Sequence, residues 1–267
     1  MISVIIKGLP ILQFSGLNSF PELLHFSTLR VGGISTGDYS SFNLGLNSGD
    51  VPQNVLANRI KLCDALGIGS AKLVLPKQTH SATVKIIDSD FFRLDDDERK
   101  AFLNETDAVI TNIRGVCVAI KTADCVPVLL YDSKRKAVAA IHAGWRGTVQ
   151  DIVLKTIKEM VENFGTTPSD LIAGIGPSIS PNVYEVGKEV WGQFATEFYS
   201  ESTPAQKDKR MLNLWKANHD QLVAAGVPSV RIETARICTL SDPERFYSAR
   251  RDGAKTGRMA TGIMLRG

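Results

Sequence analysis

Hydrophobic and polar positions along the chain change their period several times, and the changes mark out elements. The opening stretch, MISVIIKGLPILQF, is apolar but broken by Lys7, Gly8 and Pro10, which reads as strand. In GDVPQNVLANRIKLCDALGIG, the apolar residues Val55, Leu56, Ile60, Cys63 and Leu66 fall at helical spacing. Asp50 with Gln53 three residues on predicts the cap of that helix, and Gly67 its end. AKLVLPKQTHSATVKIID predicts two strands around a turn that holds His80. DAVITN, VCVAI, VPVLLYD and AVAAI are short, largely β-branched runs, as expected of strands buried on both faces. A helix over 149–163 follows, with Ile152, Val153, Ile157, Met160 and Val161 on one side and Gly165 past its end. LIAGIG predicts another strand, helices are expected near 185–199 and 213–225, and RMATGIMLRG reads as a last strand. Strands and helices in irregular order predict a layered α/β (α+β) fold, a central mixed β-sheet flanked by helices.

Composition narrows the class. The chain has 267 residues, 43% hydrophobic and 22% charged, with no linker, low-complexity run or repeat, so one domain over 1–267 is expected. A net charge of +3, with lysines and arginines scattered, argues against a nucleic-acid partner. No apolar run approaches the roughly 20 residues of a membrane span. The N-terminus lacks the features of a signal peptide, which predicts a cytoplasmic protein. The run Asp95 to Lys100 reads as a solvated loop or helix start. The cysteines Cys63, Cys117, Cys125 and Cys238 form no C-x-x-C pair, so reduced thiols or metal ligands are expected rather than disulfides.

Three residues stand out by position. His80 lies in a turn after a strand, Cys125 between two buried strands, and His142 at a strand end before a helix. Two imidazoles and a thiolate suit zinc, and three protein ligands leave a fourth position open, as in catalytic sites. Spacing alone also allows blander roles: Cys125 as a small core residue, His142 as a satisfied strand-end histidine, His80 as a turn residue. The surroundings of His142, AAIHAGWRGT, add weight to chemistry. Gly144 and Gly147 permit unusual backbone, the following helix would direct free N–H groups at the loop, and Arg146 is a phosphate or carboxylate binder. Trp145 could stack on a planar ring or pack in the core.

The blocks KQTHSATV, KTADCVPVLLYD, AAIHAGWRGT, AGIGPSISPNVYEVG and FYSARRDGAKTGRMA, in this order, resemble the signatures of the YfiH-type family. That family is also known as multicopper polyphenol oxidase, laccase-domain protein and purine nucleoside phosphorylase. The resemblance implies a domain like the catalytic domain of cytotoxic necrotizing factor. It also implies zinc on His80, Cys125 and His142, with phosphorolysis of adenosine, inosine and methylthioadenosine, and deamination of adenosine. A bacterial branch is described as editing peptidoglycan. The usual Q-V-H-G is Q-T-H-S here, and the usual S-Y-R-R is S-A-R-R, which removes an aromatic wall.

Counting tests the oxidase label. A multicopper cluster needs on the order of ten histidines and a cysteine, and the chain has four His. A single copper on a His2Cys site remains open to it, a laccase cluster does not. For deamination, the H-x-E and P-C-x-x-C signature is absent, and Asp124 is the candidate acid/base. For phosphorolysis, helix N–H groups and Arg146, with one or more of Arg59, Arg250 and Arg251, are expected to cradle phosphate, each of the last three being open to a surface salt bridge instead and Arg59 better suited to one. Asn43 and Gln78, in matching blocks, complete the substrate-binding set. Two further readings stand beside these. One is a metal-free Cys125–His142 nucleophile–base pair. The other is a zinc-stabilised binding module with a fourth ligand from His25, Cys117 or Cys238. His219 reads as a surface residue.

Overall fold

The computed structural model describes residues 1–201 and 208–267. Two six-stranded mixed sheets and a small three-stranded one organise them. The strands are β1 Ile2–Ile6, β2 Leu9–Gln13, β3 Leu23–Thr28, β4 Leu73–Val74, β5 Val84–Ile86, β6 Ala108–Thr111, β7 Cys117–Thr122, β8 Val126–Asp132, β9 Ala137–Ala143, β10 Leu171–Ile175, β11 Glu185–Gly187, β12 Tyr199–Glu201, β13 Lys209–Leu212, β14 Ile232–Thr234 and β15 Met259–Leu265. The first sheet runs β1-β2-β3-β15-β7-β4, the second β14-β10-β8-β9-β6-β5, the small one β11-β13-β12. In the large sheets antiparallel pairing dominates. The parallel pairs are β4 with β7, β5 with β6, and β10 with β14.

Alternation along the strands decides what each face meets. In β8 and β9, Val126, Val128, Leu130, Ala139 and Ile141 face a helical layer, while Leu129, Tyr131, Val138 and Ala140 point the other way. The latter meet Val118, Ile120, Ile263 and Leu265 from β7 and β15, so the two sheets pack face to face. The helices are α1 Pro52–Leu66, α2 Asp96–Phe102, α3 Trp145–Val149, α4 Ile152–Phe164, α5 Lys188–Trp191, α6 Leu214–Ala224 and α7 Ala249–Asp252. Helix α1 covers the outer face of the first sheet through Leu62, Cys63 and Leu66; α4 and α6 cover the second through Ile152, Val153, Ile157, Met160, Leu214 and Leu222. Each such fully buried aliphatic side chain contributes about 1.5–3 kcal/mol relative to exposure.

The mixed α/β class stands, with one correction: two sheets share the core where a single central sheet was expected. Runs buried on both faces suit either arrangement, since the pattern does not say whether a helix or a second sheet covers a face. The strands around His80 likewise belong to different sheets. The expected helix over 185–199 is instead β11, the four-residue α5 and a 3₁₀ turn at Thr196–Phe198. The expected helix over 149–163 is α4, separated from α3 by Asp151 at φ 61°. Asp50 does not cap α1. Its carboxylate accepts from Ser35 Oγ and Asn43 Nδ2, and Val51 holds the cap position ahead of Pro52. A true capping box occurs at Asp95 with Glu98, where the acidic run starts α2.

Candidate metal centre and active site

The chain changes sheets between β7 and β8, and residues 123–125 make the crossing. Asp124 adopts φ 93° there. Its carboxylate accepts from Thr239 Oγ1 at 2.7 Å, Ser248 Oγ at 2.9 Å and the Arg250 N–H at 2.7 Å. These contacts pin the crossing and fix where Cys125 sits. They also occupy both oxygens, so Asp124 is a clamp and not the free acid/base expected of it.

His142 lies near the end of β9 and is buried; His80 is exposed, on the loop between β4 and β5, at φ 63°. One residue organises both. Asp107, fully buried just before β6, accepts hydrogen bonds on Oδ1 from His142 Nδ1 at 2.7 Å and from the His80 N–H at 3.0 Å. On Oδ2 it accepts from Thr79 N at 3.1 Å, Ser81 N at 2.8 Å and Ser81 Oγ at 2.7 Å. A carboxylate on Nδ1 sets the tautomer and leaves Nε2 of His142 as the free ligand atom.

The ligand atoms of His80, Cys125 and His142 lie within 4.8 Å of one another, and the two imidazole centroids are 4.9 Å apart. Zinc–ligand bonds of about 2.0–2.3 Å put tetrahedral ligands about 3.3–3.8 Å apart, so only a small contraction is needed. The donor set fits zinc. Electrostatics agree: burial raises the Cys125 thiol, but the charge of His142 and hydrogen bonds from His142 and His80 pull it down to about 6. Burial opposes a charged His142, yet the Cys125 thiolate and Asp107 carboxylate lift it to about 9. For Asp107, burial is again outweighed, by His142, Ser81 and Thr79, and its carboxyl falls to about 2. Gly144 is required for space and not for backbone freedom. Its φ is −70°, but a Cβ would lie 3.0 Å from Cys125 Sγ and 3.1 Å from His80 Cδ2.

The three side chains line a cavity of about 1060 Å³. Of the expected substrate residues, Gln78, Arg59 and Arg250 also line it; Asn43, Arg146 and Arg251 do not. Asn43 is fully buried, and its amide holds Gly45 N, Arg258 N, Ser48 Oγ and Asp50. Arg146 is exposed and stacks 4.3 Å from the ring of Trp145, itself packed at the core edge. Arg251 spends its guanidinium on the carbonyls of Thr239, Leu240 and Phe246 and on Asp252. Gln78 pairs with both backbone groups of Lys121 like an added strand residue. Arg59 makes no salt bridge among the described residues; it clamps the Leu44 carbonyl with Nε and Nη2. The helix N-terminus expected after Thr148 is absent, since Thr148 lies inside α3 and its hydroxyl bonds back to Gly144 O.

Several lining or supporting residues escaped the sequence. Asp107 precedes a strand in NETDAVIT, where an acid reads as a loop residue. Tyr184 gives the cavity an aromatic face where Ala249 offers none: both line the cavity, and the Arg250 guanidinium lies 5.1 Å from the Tyr184 ring. Lys121 and Arg258 also face the cavity. His25 and His219 lie elsewhere. His25 Nε2 accepts the Phe14 N–H, and His219 contacts Asp220 and Ser229.

The described residues form a two-sheet α/β sandwich whose cavity carries a His2Cys cluster able to hold a metal ion. The chain belongs to the multi-copper polyphenol oxidoreductase laccase family, whose sequence profile matches residues 24–266. It is 43% identical over 269 residues to a purine nucleoside phosphorylase of Bacteroides thetaiotaomicron, covering 99% of each chain. It is 40% identical over 242 residues to adenosine deaminase RL5 from an unknown prokaryotic organism, covering 89% of this chain and 92% of that one. Among solved structures, YlmD from Geobacillus stearothermophilus superposes with a TM-score of 0.87 at 31% identity, covering 96% of this chain and 99% of that one. YfiH of Bacillus licheniformis gives 0.86 at 31% identity, covering 96% of both. Among the described residues, no helix is long and apolar enough to cross a membrane.

Proposed function

We propose that the protein is a zinc-dependent purine nucleoside phosphorylase that also deaminates adenosine, acting as one catalytic unit over residues 1–267. The observation that carries this reading is the convergence of His80, Cys125 and His142 on one cavity large enough for a nucleoside and a second small reactant. Relatives named for both activities support it. In phosphorolysis a phosphate oxygen bonds to C1′ of the ribose as the bond to the purine nitrogen breaks, and the purine leaves with the electron pair and gains a proton. In deamination, water adds at C6 and ammonia leaves.

Zinc, when bound, supplies Lewis acidity at the cavity wall. The chain's own groups do the positioning. Asp107 holds the Nδ1 proton of His142, so Nε2 is the nitrogen that gives up its proton when a metal binds. Cys125 offers a thiolate at neutral pH. The Tyr184 ring gives a planar base a stacking face, and the Arg250 guanidinium lies 5.1 Å from that ring while donating to Glu185 O. Four histidines, two of them remote, argue against a laccase-type copper cluster in this chain.

A second reading draws on the thiolate–imidazolium pair: Cys125 as nucleophile with His142 as its base, in an amidase or hydrolase acting on a peptidoglycan precursor. His80 separates the two readings, because a dyad has no use for it. The test is metal analysis of the purified protein with an adenosine-plus-phosphate assay. Under the proposed reading, Cys125→Ala and His80→Ala both lose zinc and ribose 1-phosphate formation. Full turnover by His80→Ala with a dead Cys125→Ala would favour the dyad instead.

A further inference from the structure

Away from the His2Cys cluster, three of the seven cations that line the same cavity come from separate elements, with Lys121 sensing the charge of both arginines: Arg59 on α1, Lys121 on β7 and Arg258 just before β15. None of the three pairs with a carboxylate among the described residues. Each is held by backbone oxygens instead. Arg59 grips Leu44 O at 3.0 and 2.8 Å, Lys121 Nζ donates to Pro76 O, and Arg258 Nη1 donates to Thr256 O at 2.6 Å and Gly257 O at 2.9 Å. These contacts position the charges without neutralising them. Recessed cations that repel one another cost folding free energy, and an acid nearby would relieve it. The nearest acids act only through their field, Asp124 on Arg258 and Asp107 on Lys121, with no ion pair formed. Asp124 is filled by Thr239, Ser248 and the Arg250 N–H, and Asp96 belongs to the exposed start of α2.

The supports look built for the purpose. Asn43 Oδ1 accepts both Gly45 N and Arg258 N at 2.9 Å, which ties the 43–48 loop to the Arg258 backbone. At Gly45 a Cβ would lie 2.8 Å from Arg258 Cγ, so only glycine lets that stem lie flat against the loop. Gln78 clamps both backbone groups of Lys121 and sits two residues from the His80 ligand, which links the cationic wall to the metal site. The charges are also electrically continuous: Arg258 feels Cys125 and Lys121, and Lys121 feels Arg59. Desolvation, reinforced by Arg59 and Arg258, brings the Lys121 ammonium down to about 7, so an arriving anion would restore its proton.

We propose that Arg59, Lys121 and Arg258 form an oxyanion subsite for a phosphate group, opening onto the same cavity as the metal centre. Two guanidinium groups and an ammonium lining one cavity suit a multiply charged tetrahedral anion better than a carboxylate, which one arginine fork would satisfy. Phosphorolysis, the reaction proposed above, makes inorganic phosphate the expected occupant, so the occupant's identity rests on that reading. The subsite itself does not. The 5′-phosphate of a nucleotide presents the same chemistry.

Binding of inorganic phosphate and of adenosine 5′-monophosphate to the zinc-loaded protein is measured by calorimetry, for the wild type and for Arg59→Met, Lys121→Met and Arg258→Met. The phosphate KM and kcat of adenosine phosphorolysis are read alongside. Zinc content and adenosine binding without phosphate report whether each variant is intact. Variants that retain both are expected to weaken phosphate by about tenfold or more, in binding and in KM, with a smaller change in kcat. If the monophosphate outbinds adenosine about tenfold, and that advantage disappears in the variants while free phosphate binds weakly to all, the subsite stands with an esterified phosphate as its occupant. Unchanged phosphate and monophosphate binding in intact variants would overturn it, as would equal loss of adenosine binding in Lys121→Met and Arg258→Met. Lys121→Arg, which keeps the charge, guards against a variant that misfolds: it should retain phosphate binding, and a loss there equal to that of Lys121→Met also counts against the subsite. A wild type that binds phosphate but forms no ribose 1-phosphate would sink the phosphorolysis reading and leave the subsite standing.

Discussion

Replacing Asp107 by asparagine keeps the shape of the side chain and removes its charge. Five donors meet this carboxylate: His142 Nδ1 and His80 N on Oδ1, and Thr79 N, Ser81 N and Ser81 Oγ on Oδ2. An amide has one accepting oxygen and one donating nitrogen, so either orientation sets N–H against N–H. With the oxygen toward His142, the Thr79 and Ser81 N–H groups lose their acceptor. At about 1–3 kcal/mol for each fully buried donor left unsatisfied, these two partly buried donors cost at most about 2–6 kcal/mol. With the nitrogen toward His142, the ring must accept at Nδ1 and carry its proton on Nε2, which removes the ligand lone pair. The Asp107→Asn substitution therefore costs stability or metal, and zinc affinity should fall by about 10–100-fold, as for other partners of ligating histidines. Chelator competition measures the affinity and thermal melting of the metal-free protein the stability. A pH series adds a signature. The Asp107 carboxyl is depressed from 3.8 to about 2, which is worth about 2.5 kcal/mol of stability. Since its folded value is lowered, that contribution is full above about pH 4 and is lost as pH falls through about 2. The asparagine variant should lack this component of acid unfolding. Zinc affinity within about twofold of wild type, with an unchanged melting curve, would refute the organising role assigned to Asp107.

Three other outcomes follow from the same geometry. In metal-free protein, alkylation of Cys125 by iodoacetamide, followed by peptide mass spectrometry, should rise with a midpoint near pH 6, because His142 and His80 stabilise the thiolate, and zinc should block it; a midpoint near 9 would contradict the thiolate assignment. Gly144→Ala should weaken zinc binding by about tenfold while changing metal-free stability by less than about 1.5 kcal/mol, since the backbone tolerates alanine but the new Cβ crowds Cys125 Sγ and His80; unchanged affinity would mean the site yields more than the distances imply. Asp124→Ala strips the acceptor from three donors and should cost about 3 kcal/mol or more of stability, with metal lost in consequence; normal stability with lost turnover alone would return Asp124 to the acid/base role.

Much of the fold is legible along the chain where local pattern and tertiary demand agree. DAVITN, VCVAI, VPVLLYD, AVAAI and LIAGIG are all strands, and helix α4 with Gly165 at its left-handed end was readable from period and punctuation. Failures cluster where the deciding partner is remote. Whether Leu129 and Tyr131 face a helix or a second sheet depends on β7 and β15, which no local window contains. Residues 185–199 carry helical propensity, but pairing of β11 with β13, more than 20 positions along, overrides it. Asp50 has the residue type of a helix cap, yet Ser35 and Asn43 claim its carboxylate.

The site divides along the same line. His80, Cys125 and His142 were legible because ligand chemistry is a property of residue type, and few residues in the chain possess it. Arginine has no such distinction: with 31 lysines and arginines to choose from, sequence marks none as the one that lacks an acid. Arg146 stood beside the histidine ligand in the chain and was the natural candidate for an anion, yet its guanidinium lies on Trp145 outside the cavity. Arg258 sits more than a hundred positions from any ligand and faces the cavity, because Asn43 and Gly45 hold it there. What separates a binding cation from a structural one is whether the fold sets it on the cavity within electrostatic reach of other unpaired cations, a fact about the folded surroundings. For the same reason Asp107 and Asp124, both acids near the ligands, take different parts: one faces the His142 ring and sets its tautomer, the other lines the cavity and clamps the chain crossing on which Cys125 rides.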